Sequence, residues 1–176
     1  MIVVAMYIMT RRFKNMKKGI ARREREVTDI NEIIGILDRA KVVHVGMIDG
    51  DMPYVVPMNY GYVMNEEGLT LYLHGAKTGR KLDVLRNNPK VFIEIDTDIV
   101  PFEGKTACQY GMCYSSVMGE GIAEIIDDIE EKKYSLYALM KTQTGKEFEI
   151  DDKMANVVSV IKIKVPEFTA KRRPMG

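Results

Sequence analysis

The sequence predicts a mainly β protein with flanking helices, in which six antiparallel strands close into a small barrel. Short apolar runs follow one another between turn signals along most of the chain, which is typical of hairpin-linked antiparallel strands. A sheet of six such strands removes its exposed edges by rolling up. Strands and helices do not alternate regularly, so a doubly wound nucleotide-binding fold is disfavoured.

The first helix and hairpin have clear boundary signals. Asp29, with Glu32 three residues later, is an N-cap signature, and apolar residues at helical spacing predict a helix over residues 28–40. The next two apolar runs, residues 42–48 and 53–63, flank an Asp-Gly-Asp turn and therefore predict a hairpin.

The later elements are predicted from similar signals. A short helix containing Leu82 and Leu85 must end before Pro89, because proline cannot continue a helix. Residues 97–112 contain Pro and Gly and are predicted to be a loop, whereas residues 128–142 begin with a capping Asp and form a final helix. The six predicted strands are residues 42–48, 53–63, 69–74, 91–96, 114–126 and 157–165.

Length and composition limit the classes of protein. The chain has 176 residues, of which 46% are hydrophobic and 29% charged, as expected for one domain with its own core. No window of about 20 consecutive apolar residues is present, so we expect no membrane span and no membrane partner. Two cysteines form no disulfide scaffold, and reduced thiols favour a cytoplasmic location.

Basic charge is concentrated near the N-terminus. Residues 11–25 hold eight Lys and Arg and one Glu, which leaves 18 basic and 24 acidic residues elsewhere. The acidic body predicts no nucleic-acid binding, because that function needs a basic face. We interpret residues 1–21 as a basic, loose N-terminal extension, residues 22–172 as the domain and residues 173–176 as a tail. A contact of the extension with nucleic acid or a membrane surface is the less favoured alternative.

The start of the chain does not have the pattern of a secretory signal. Residues 1–9 are apolar, but no basic segment precedes them and no small-residue cleavage site follows. A simpler interpretation is that Met16 is the working start.

The most informative segment is residues 74–83, His-Gly-Ala-Lys-Thr-Gly-Arg-Lys-Leu-Asp, between a predicted strand and a short helix. Its glycines let backbone amides approach a ligand, and Lys77, Arg80 and Lys81 add positive charge beside a helix N-terminus. It is not a Walker A loop, because Leu82 stands where that motif needs a hydroxyl residue. The segment predicts a phosphate site, with a solvated basic loop as the alternative.

A second informative segment, residues 55–62, lies one strand earlier. Pro57 removes a ladder donor, so a backbone group nearby can be left for a ligand. Asn59 offers a donor and an acceptor to a ring. Tyr60 and Tyr62 could stack on that ring, although aromatic residues in strands usually belong to the core. Together the two segments predict a phosphorylated ring cofactor held between adjacent strands.

Several motifs occur in an order that is specific in combination. They are Arg-Arg-Glu-Arg-Glu-Val at residues 22–27, Val-Gly-Met at 45–47, Tyr-Val-Val-Pro-Met-Asn-Tyr-Gly-Tyr at 54–62, Leu-Tyr-Leu-His-Gly-Ala at 71–76, Gly-Arg-Lys at 79–81 and Val-Met-Gly-Glu-Gly-Ile-Ala at 117–123. In this order they resemble the pyridoxamine-phosphate-oxidase-related flavin-binding split barrels, specifically the nitroimidazole-resistance (Nim-type) branch. The resemblance implies a six-stranded split barrel that forms a homodimer, with FMN at the subunit interface.

The resemblance also implies roles for individual residues. The predicted roles are ring lining by Val56, Pro57, Met58 and Asn59, ring-edge contact by His74, Gly75 and Ala76, phosphate binding by Lys77, Arg80 and Lys81, and further cofactor contacts by Ser115, Ser116 and Val117. Ser115 stands where the family often has arginine, so one cationic contact is missing. His74 is the catalytic candidate, because Nim-type relatives place a histidine there beside the flavin. A structural hydrogen-bonding role is the alternative for His74.

The implied function is that of an FMN-dependent oxidoreductase. It would pass electrons from a reduced nicotinamide donor to a small aromatic, nitro or quinone-like acceptor. Pyridoxamine-phosphate oxidation itself is less favoured, because the C-terminal segment has no Arg-x-His stretch. The alternative class is a binding protein that stores or senses flavin or haem without turnover. No metal site is predicted, because Cys108 and Cys113 would supply only two ligands.

Overall fold

One antiparallel sheet forms the body of the protein in the computed structural model, which describes residues 20–174. Its strands are β1 (Glu26–Val27), β2 (Val42–Asp49), β3 (Met52–Asn65), β4 (Gly68–Gly75), β5 (Lys90–Phe102), β6 (Gly111–Ile126) and β7 (Ser159–Arg173). The strand order is β1-β7-β4-β3-β2-β5-β6, and an additional pairing of β6 with β7 closes β2 to β7 into a ring. The predicted six-stranded barrel is therefore confirmed, with the short β1 added at one edge.

The helices begin where the sequence places their caps. They are α1 (Ile30–Arg39), α2 (Arg80–Asn87), α3 (Ile129–Thr144) and α4 (Asp152–Asn156), with short 3-10 turns at Arg23–Arg25 and Ala107–Gln109. The Asp29 carboxylate accepts from the backbone N–H groups of Asn31 and Glu32, and the Asp128 carboxylate accepts from that of Glu131. No helix within residues 20–174 is both long and apolar enough to cross a bilayer.

The hydrophobic core fills the interior of the barrel. Strand residues that alternate inward, such as Val43 and Val45 on β2, are almost completely buried, and α2 adds Leu82 and Leu85 to the same cluster. Each large apolar side chain buried in this way contributes about 1.5–3 kcal/mol to folding. A ring-sized ligand would therefore bind outside the barrel interior.

The barrel is split beside the first half of β3. Residues 52–59 of β3 pair with β2, whereas residues 60–65 pair with β4. Among residues 20–174 no strand pairs with the other side of that first half. Because β4 ends at Gly75 and α2 starts at Arg80, the split is bordered by both informative sequence segments.

Helix α3 covers the second half of β3 at very close range. A Cβ atom built on Gly61 would collide with the backbone of Leu139 and Ala138, so only glycine permits this approach. The neighbouring Tyr60 is fully buried, and its hydroxyl donates to the Leu37 carbonyl at 2.7 Å. The close packing of α3 and α1 on this half leaves the first half of β3 as the open edge.

The prediction of a loop at residues 97–112 is wrong for half of its length. β5 continues to Phe102 and β6 begins at Gly111, with a register shift between Thr97 and Val100. Asp98 has a φ of 57° at this bulge, a conformation that Asp tolerates better than most residues. Pro and Gly indicated a loop, but pairing between the two strands outweighs that local signal.

The ends of the chain differ from prediction in two further ways. β7 runs eight residues past the predicted end at 165, because its second half pairs with β6 and β1. Strand β1 and helix α4 are too short to show a periodic pattern. The predicted N-terminal extension, residues 1–21, falls mostly outside the described residues and stays a prediction.

Candidate functional site

Arg80 is oriented by the β2–β3 hairpin. Its Nε donates to the Asp49 Oδ2 at 2.7 Å, and its guanidinium lies 4.3 Å from the centre of the Tyr54 ring. Within residues 20–174 these contacts leave the two terminal nitrogens of Arg80 as donors for a ligand. A planar, oriented guanidinium of this kind suits a phosphate.

Lys81 lies across the end of β4. A Cβ atom on Gly75 would stand 2.9 Å from Lys81 Cε and 3.1 Å from its Nζ, and 4.0 Å from Met58 Cε. Glycine at this position therefore makes room for the ammonium group where β3, β4 and α2 meet. Within the described part of the chain Lys81 forms no ion pair, so its charge is available to an anion.

The cationic segment between β4 and the first turn of α2 is called the cradle, defined as Gly75, Lys77, Arg80 and Lys81. Lys77 and Arg80 are exposed, whereas Lys81 is half-buried. The site stands at the N-terminus of α2, where backbone N–H groups add positive potential. The arrangement fits the predicted phosphate.

The four predicted ring-lining residues divide between two faces of β3. Val56 and Met58 pack against the barrel core, so Pro57 and Asn59 point to the outer face. The Asn59 amide nitrogen donates to the Lys41 carbonyl at 3.0 Å. Met58 reaches the cradle with its side chain, and Asn59 is already used as a structural donor.

His74 stands beside the cradle on the outer face. It is exposed, pairs with Val160 of β7, and points away from the barrel interior because it alternates with Leu73 and Gly75. Ala76 follows Gly75 and is exposed at the same end of β4. The structure thus brings His74, Gly75, Ala76 and the three cationic residues to one end of the split.

The tyrosines considered as stacking partners contact α1 instead. Tyr60 is buried, and the Tyr62 hydroxyl donates to the Asp38 carboxylate at 2.6 Å. Burial, followed by the hydrogen bond to Asp38, raises the pKa of Tyr62 well above its ordinary value. Both tyrosines therefore stabilise the fold rather than presenting a free ring face.

The third predicted group lies at the other end of the sheet. Ser115 pairs with Arg172 of β7, whereas His74 pairs with Val160 of the same strand. Twelve residues of extended strand span roughly 40 Å. Ser115, Ser116 and Val117 therefore do not reach the cradle of their own chain.

Ser115 belongs to a polar network that sequence reasoning missed. Its hydroxyl donates to the Asp98 Oδ2 at 2.8 Å, and Arg39 donates to both Asp98 oxygens at 2.9 and 2.8 Å. The hydrogen bond from Arg39, assisted by that from Ser115, holds the pKa of Asp98 below its ordinary value despite partial burial. The bulge that aims Asp98 at these partners has no sequence signal.

A cavity of about 660 Å³ opens beside this network. It lies between α1 and the far ends of β6 and β7, and Arg172 and Arg173 contribute to its wall. Val117 is fully buried in the barrel core and Ser116 is nearly buried, so neither offers its side chain to a ligand of this chain. The cavity has the size of a ligand site.

Both cysteines are free thiols, Cys108 exposed and Cys113 buried. The Cys108 sulfur lies 3.1 Å from the Thr106 hydroxyl oxygen. The two reduced thiols expected from the sequence are compatible with this arrangement.

Solved structures of other proteins share this architecture. A candidate 5-nitroimidazole antibiotic resistance protein from Bacteroides thetaiotaomicron is 34% identical over 84% of this chain and 86% of its own, with a TM-score of 0.70. The fold is shared by a FAD and heme binding protein from Mycobacterium smegmatis, which is 16% identical over 86% of this chain and 74% of its own, with a TM-score of 0.73. It is also shared by the heme storage protein HutZ from Vibrio cholerae, which is 18% identical over 81% of this chain and 94% of its own, with a TM-score of 0.55. No curated protein matches the sequence.

The model of a protein family also matches the sequence. Residues 29–172, which include all of the ring of strands except the last residue of β7, match the model for pyridoxamine 5'-phosphate oxidase. With the split barrel, the cradle at its opening and the resemblance to the Bacteroides protein, this match identifies the chain as a member of the pyridoxamine 5'-phosphate oxidase family.

Proposed function

We propose that the protein is an FMN-binding oxidoreductase that works as a homodimer. The observation that carries the proposal is the cradle, in which Lys81 lies beside Gly75 and forms no ion pair within residues 20–174, while Asp49 holds the neighbouring Arg80. FMN has a terminal phosphate that matches these donors, and its ring would lie along the open edge of β3. FAD is the alternative flavin, because the Mycobacterium structure is of a FAD and heme binding protein.

The protein's contribution to the reaction would be binding and orientation. A bound flavin supplies the hydride and electron transfer, here between a reduced nicotinamide donor and a small aromatic, nitro or quinone-like acceptor. Arg80 and Lys81 would hold the phosphate, and the backbone of residues 56–59 would border the ring. Asp49 would keep Arg80 in place through the 2.7 Å hydrogen bond to its Nε.

A second copy of the chain is needed to complete this site. The outer face of β2, β3, β5 and β6 exposes Ile48 (44%), Val55 (58%), Phe92 (39%) and Ile122 (52%). Contiguous apolar surface of this kind is uncommon on a monomer and is typical of an interface. Within one chain, Ser115 is too far from the cradle to contact the same ligand, because the two lie at opposite ends of β7. In a symmetric dimer, the end of β6 that holds Ser115 in the partner would lie beside the cradle.

We expect the flavin-loaded protein to sediment at about twice the 20.1 kDa chain mass. The variant Phe92→Glu places a charge in the apolar face and should shift the protein to monomers that bind FMN weakly. Phe148→Glu is the matched control, because Phe148 is 42% exposed in the segment after α3 and should leave the dimer intact. A flavin-saturated monomer would contradict the dimer proposal.

His74 is proposed to act on the acceptor or on the reduced ring. His74 is exposed beside the cradle, and an imidazole can donate or accept a proton. His74→Ala should keep FMN bound, lower acceptor reduction by about 100-fold and change its pH dependence, since a positioned acid or base contributes at least this much. Steady-state reduction of a quinone and a nitroimidazole across neutral pH measures both effects. Unchanged profiles would leave His74 with a structural role.

A haem-binding or flavin-storage protein without turnover is the second candidate function. It is favoured by the likeness to a FAD and heme binding protein and to a heme storage protein, and His74 offers an exposed imidazole as a ligand. This candidate would be supported if the unaltered protein took up haem but no flavin, and if His74→Ala no longer took up haem. The two free thiols are compatible with the cytoplasm, where we place the protein in either case.

A further inference from the structure

Three potential metal ligands converge on the outer face of the barrel. His44 on β2 pairs directly with Glu94 on β5, and Asp96 lies two residues further along the same face of β5. His44 Nδ1 is 3.1 Å from Glu94 Oε2 and 3.9 Å from Asp96 Oδ1. Within residues 20–174 this is the one group of three His, Cys, Asp or Glu side chains whose ligand atoms all lie within 4.8 Å.

The spacing of these atoms is close to that of a coordinated ion. Bonds of about 2.0–2.2 Å at a tetrahedral angle place neighbouring ligand atoms roughly 3.3–3.6 Å apart. The two measured separations, 3.1 and 3.9 Å, lie on either side of this range. Small rotations of the side chains would bring all three atoms onto one ion.

The charges also favour a cation. Glu94 and Asp96 are neighbours on one face of a strand, where two carboxylates repel each other. A divalent ion would neutralise both charges, and the imidazole adds a ligand that transition metals prefer over Mg²⁺ or Ca²⁺. The ligands stand on paired strands of the closed sheet, which fixes their spacing better than a loop would.

In the single chain the site is open to solvent, and it lies on the same outer face as the apolar surface proposed as the dimer interface. The side chains of His44, Glu94 and Asp96 are 42%, 28% and 31% exposed. Three protein ligands leave a further position for water or a small ligand, the arrangement of reactive rather than closed metal sites. Pro57, on the open half of β3, pairs with His44, so the site adjoins the split of the barrel.

We propose that His44, Glu94 and Asp96 bind one divalent transition-metal ion per chain. The inference does not depend on flavin binding, because none of the three residues belongs to the cradle. The three ligands predict tighter binding of Zn²⁺ than of Mn²⁺, following the general order of affinities, and little binding of Mg²⁺.

The test is equilibrium dialysis of the metal-stripped protein against Zn²⁺, Mn²⁺ or Mg²⁺, with bound metal measured by mass spectrometry. One Zn²⁺ per chain is expected. His44→Ala and Glu94→Gln should each weaken Zn²⁺ binding by more than 100-fold, beyond the roughly 10–100-fold cost of losing an outer-shell partner. Glu94→Gln keeps the shape of the side chain, and its thermal unfolding would show that the fold is intact.

Matched variants exclude the other donors in the chain. His74→Ala removes the second of only two histidines, and the double variant Cys108→Ser/Cys113→Ser removes both thiols. Both variants should bind Zn²⁺ with the affinity of the unaltered protein. Arg80→Ala/Lys81→Ala should also bind Zn²⁺ normally, so that a failure of the flavin proposal and a failure of the metal proposal can be told apart. Absence of Zn²⁺ binding, or Zn²⁺ binding that survives His44→Ala and Glu94→Gln, would overturn the proposal.

Discussion

Replacing Arg80 and Lys81 together with alanine is expected to weaken FMN binding by about 100-fold or more while changing riboflavin binding little. Hydrogen bonds to charged groups are worth about 1.5–3 kcal/mol each, so two such bonds to a phosphate contribute about 3–6 kcal/mol. The Arg80 side chain is 60% exposed, which favours the lower part of that range. Fluorescence titration of the flavin-free protein with both ligands measures the difference.

Arg86→Ala is the matched control for this double variant. Arg86 stands on the same helix, α2, and pairs with Asp83 at 2.8 Å, away from the cradle. Arg86→Ala should bind FMN with unchanged affinity. This result would show that removing a basic residue of α2 outside the cradle does not weaken FMN binding. An equal loss of FMN and riboflavin in Arg80→Ala/Lys81→Ala would show that these residues support the ring site or the fold, and not the phosphate.

The second large effect is expected at Gly61. In Gly61→Ala the added methyl group would meet the backbone of Leu139 and Ala138, which cannot move aside as a flexible side chain can. Overpacking of this kind costs typically 1–3 kcal/mol and occasionally more, and we expect about 3 kcal/mol because the obstacle is a helix backbone. For a chain of this length the melting temperature should fall by about 6–12 °C. Thermal unfolding followed by circular dichroism measures it.

Gly35→Ala provides the control for the glycine variant. Gly35 lies inside α1, where an added Cβ atom would stand 3.1 Å from Arg39 Nη1, the end of a flexible side chain. Alanine is the better helix former by about 1 kcal/mol, so this variant should be as stable as the unaltered protein or slightly more stable. If Gly61→Ala unfolded at the same temperature as Gly35→Ala, the close approach of α3 to β3 would be contradicted.

Local signals predicted the parts of the fold that local chemistry determines. Asp29 and Asp128 cap the helices that they were expected to cap, and the Asp-Gly-Asp turn joins β2 and β3 as predicted. The cradle was also predictable, because Lys77, Arg80 and Lys81 lie within five residues of one another at a strand-to-helix junction. Charge and glycine content identify such a site without knowledge of the rest of the sheet.

The features that depend on pairing between distant strands could not be predicted. Strands β5 and β6 occupy half of the predicted loop at residues 97–112, because Val100 pairs with Cys113 across the bulge. His44 meets Glu94 only because β2 and β5 are neighbours in this register, and single-sequence patterns do not reveal register. The separation of Ser115 from the cradle could not be predicted for the same reason, because it depends on where β4 and β6 pair along β7.

The absorbance spectrum of the purified protein shows whether the split barrel holds FMN. We expect the two visible bands of an oxidised flavin, and cofactor released by heating should be identified as FMN at about one molecule per chain. If the protein is purified without cofactor, added FMN should give the same bands after removal of excess ligand. A Soret band without flavin bands, or failure to retain added FMN, would contradict FMN binding.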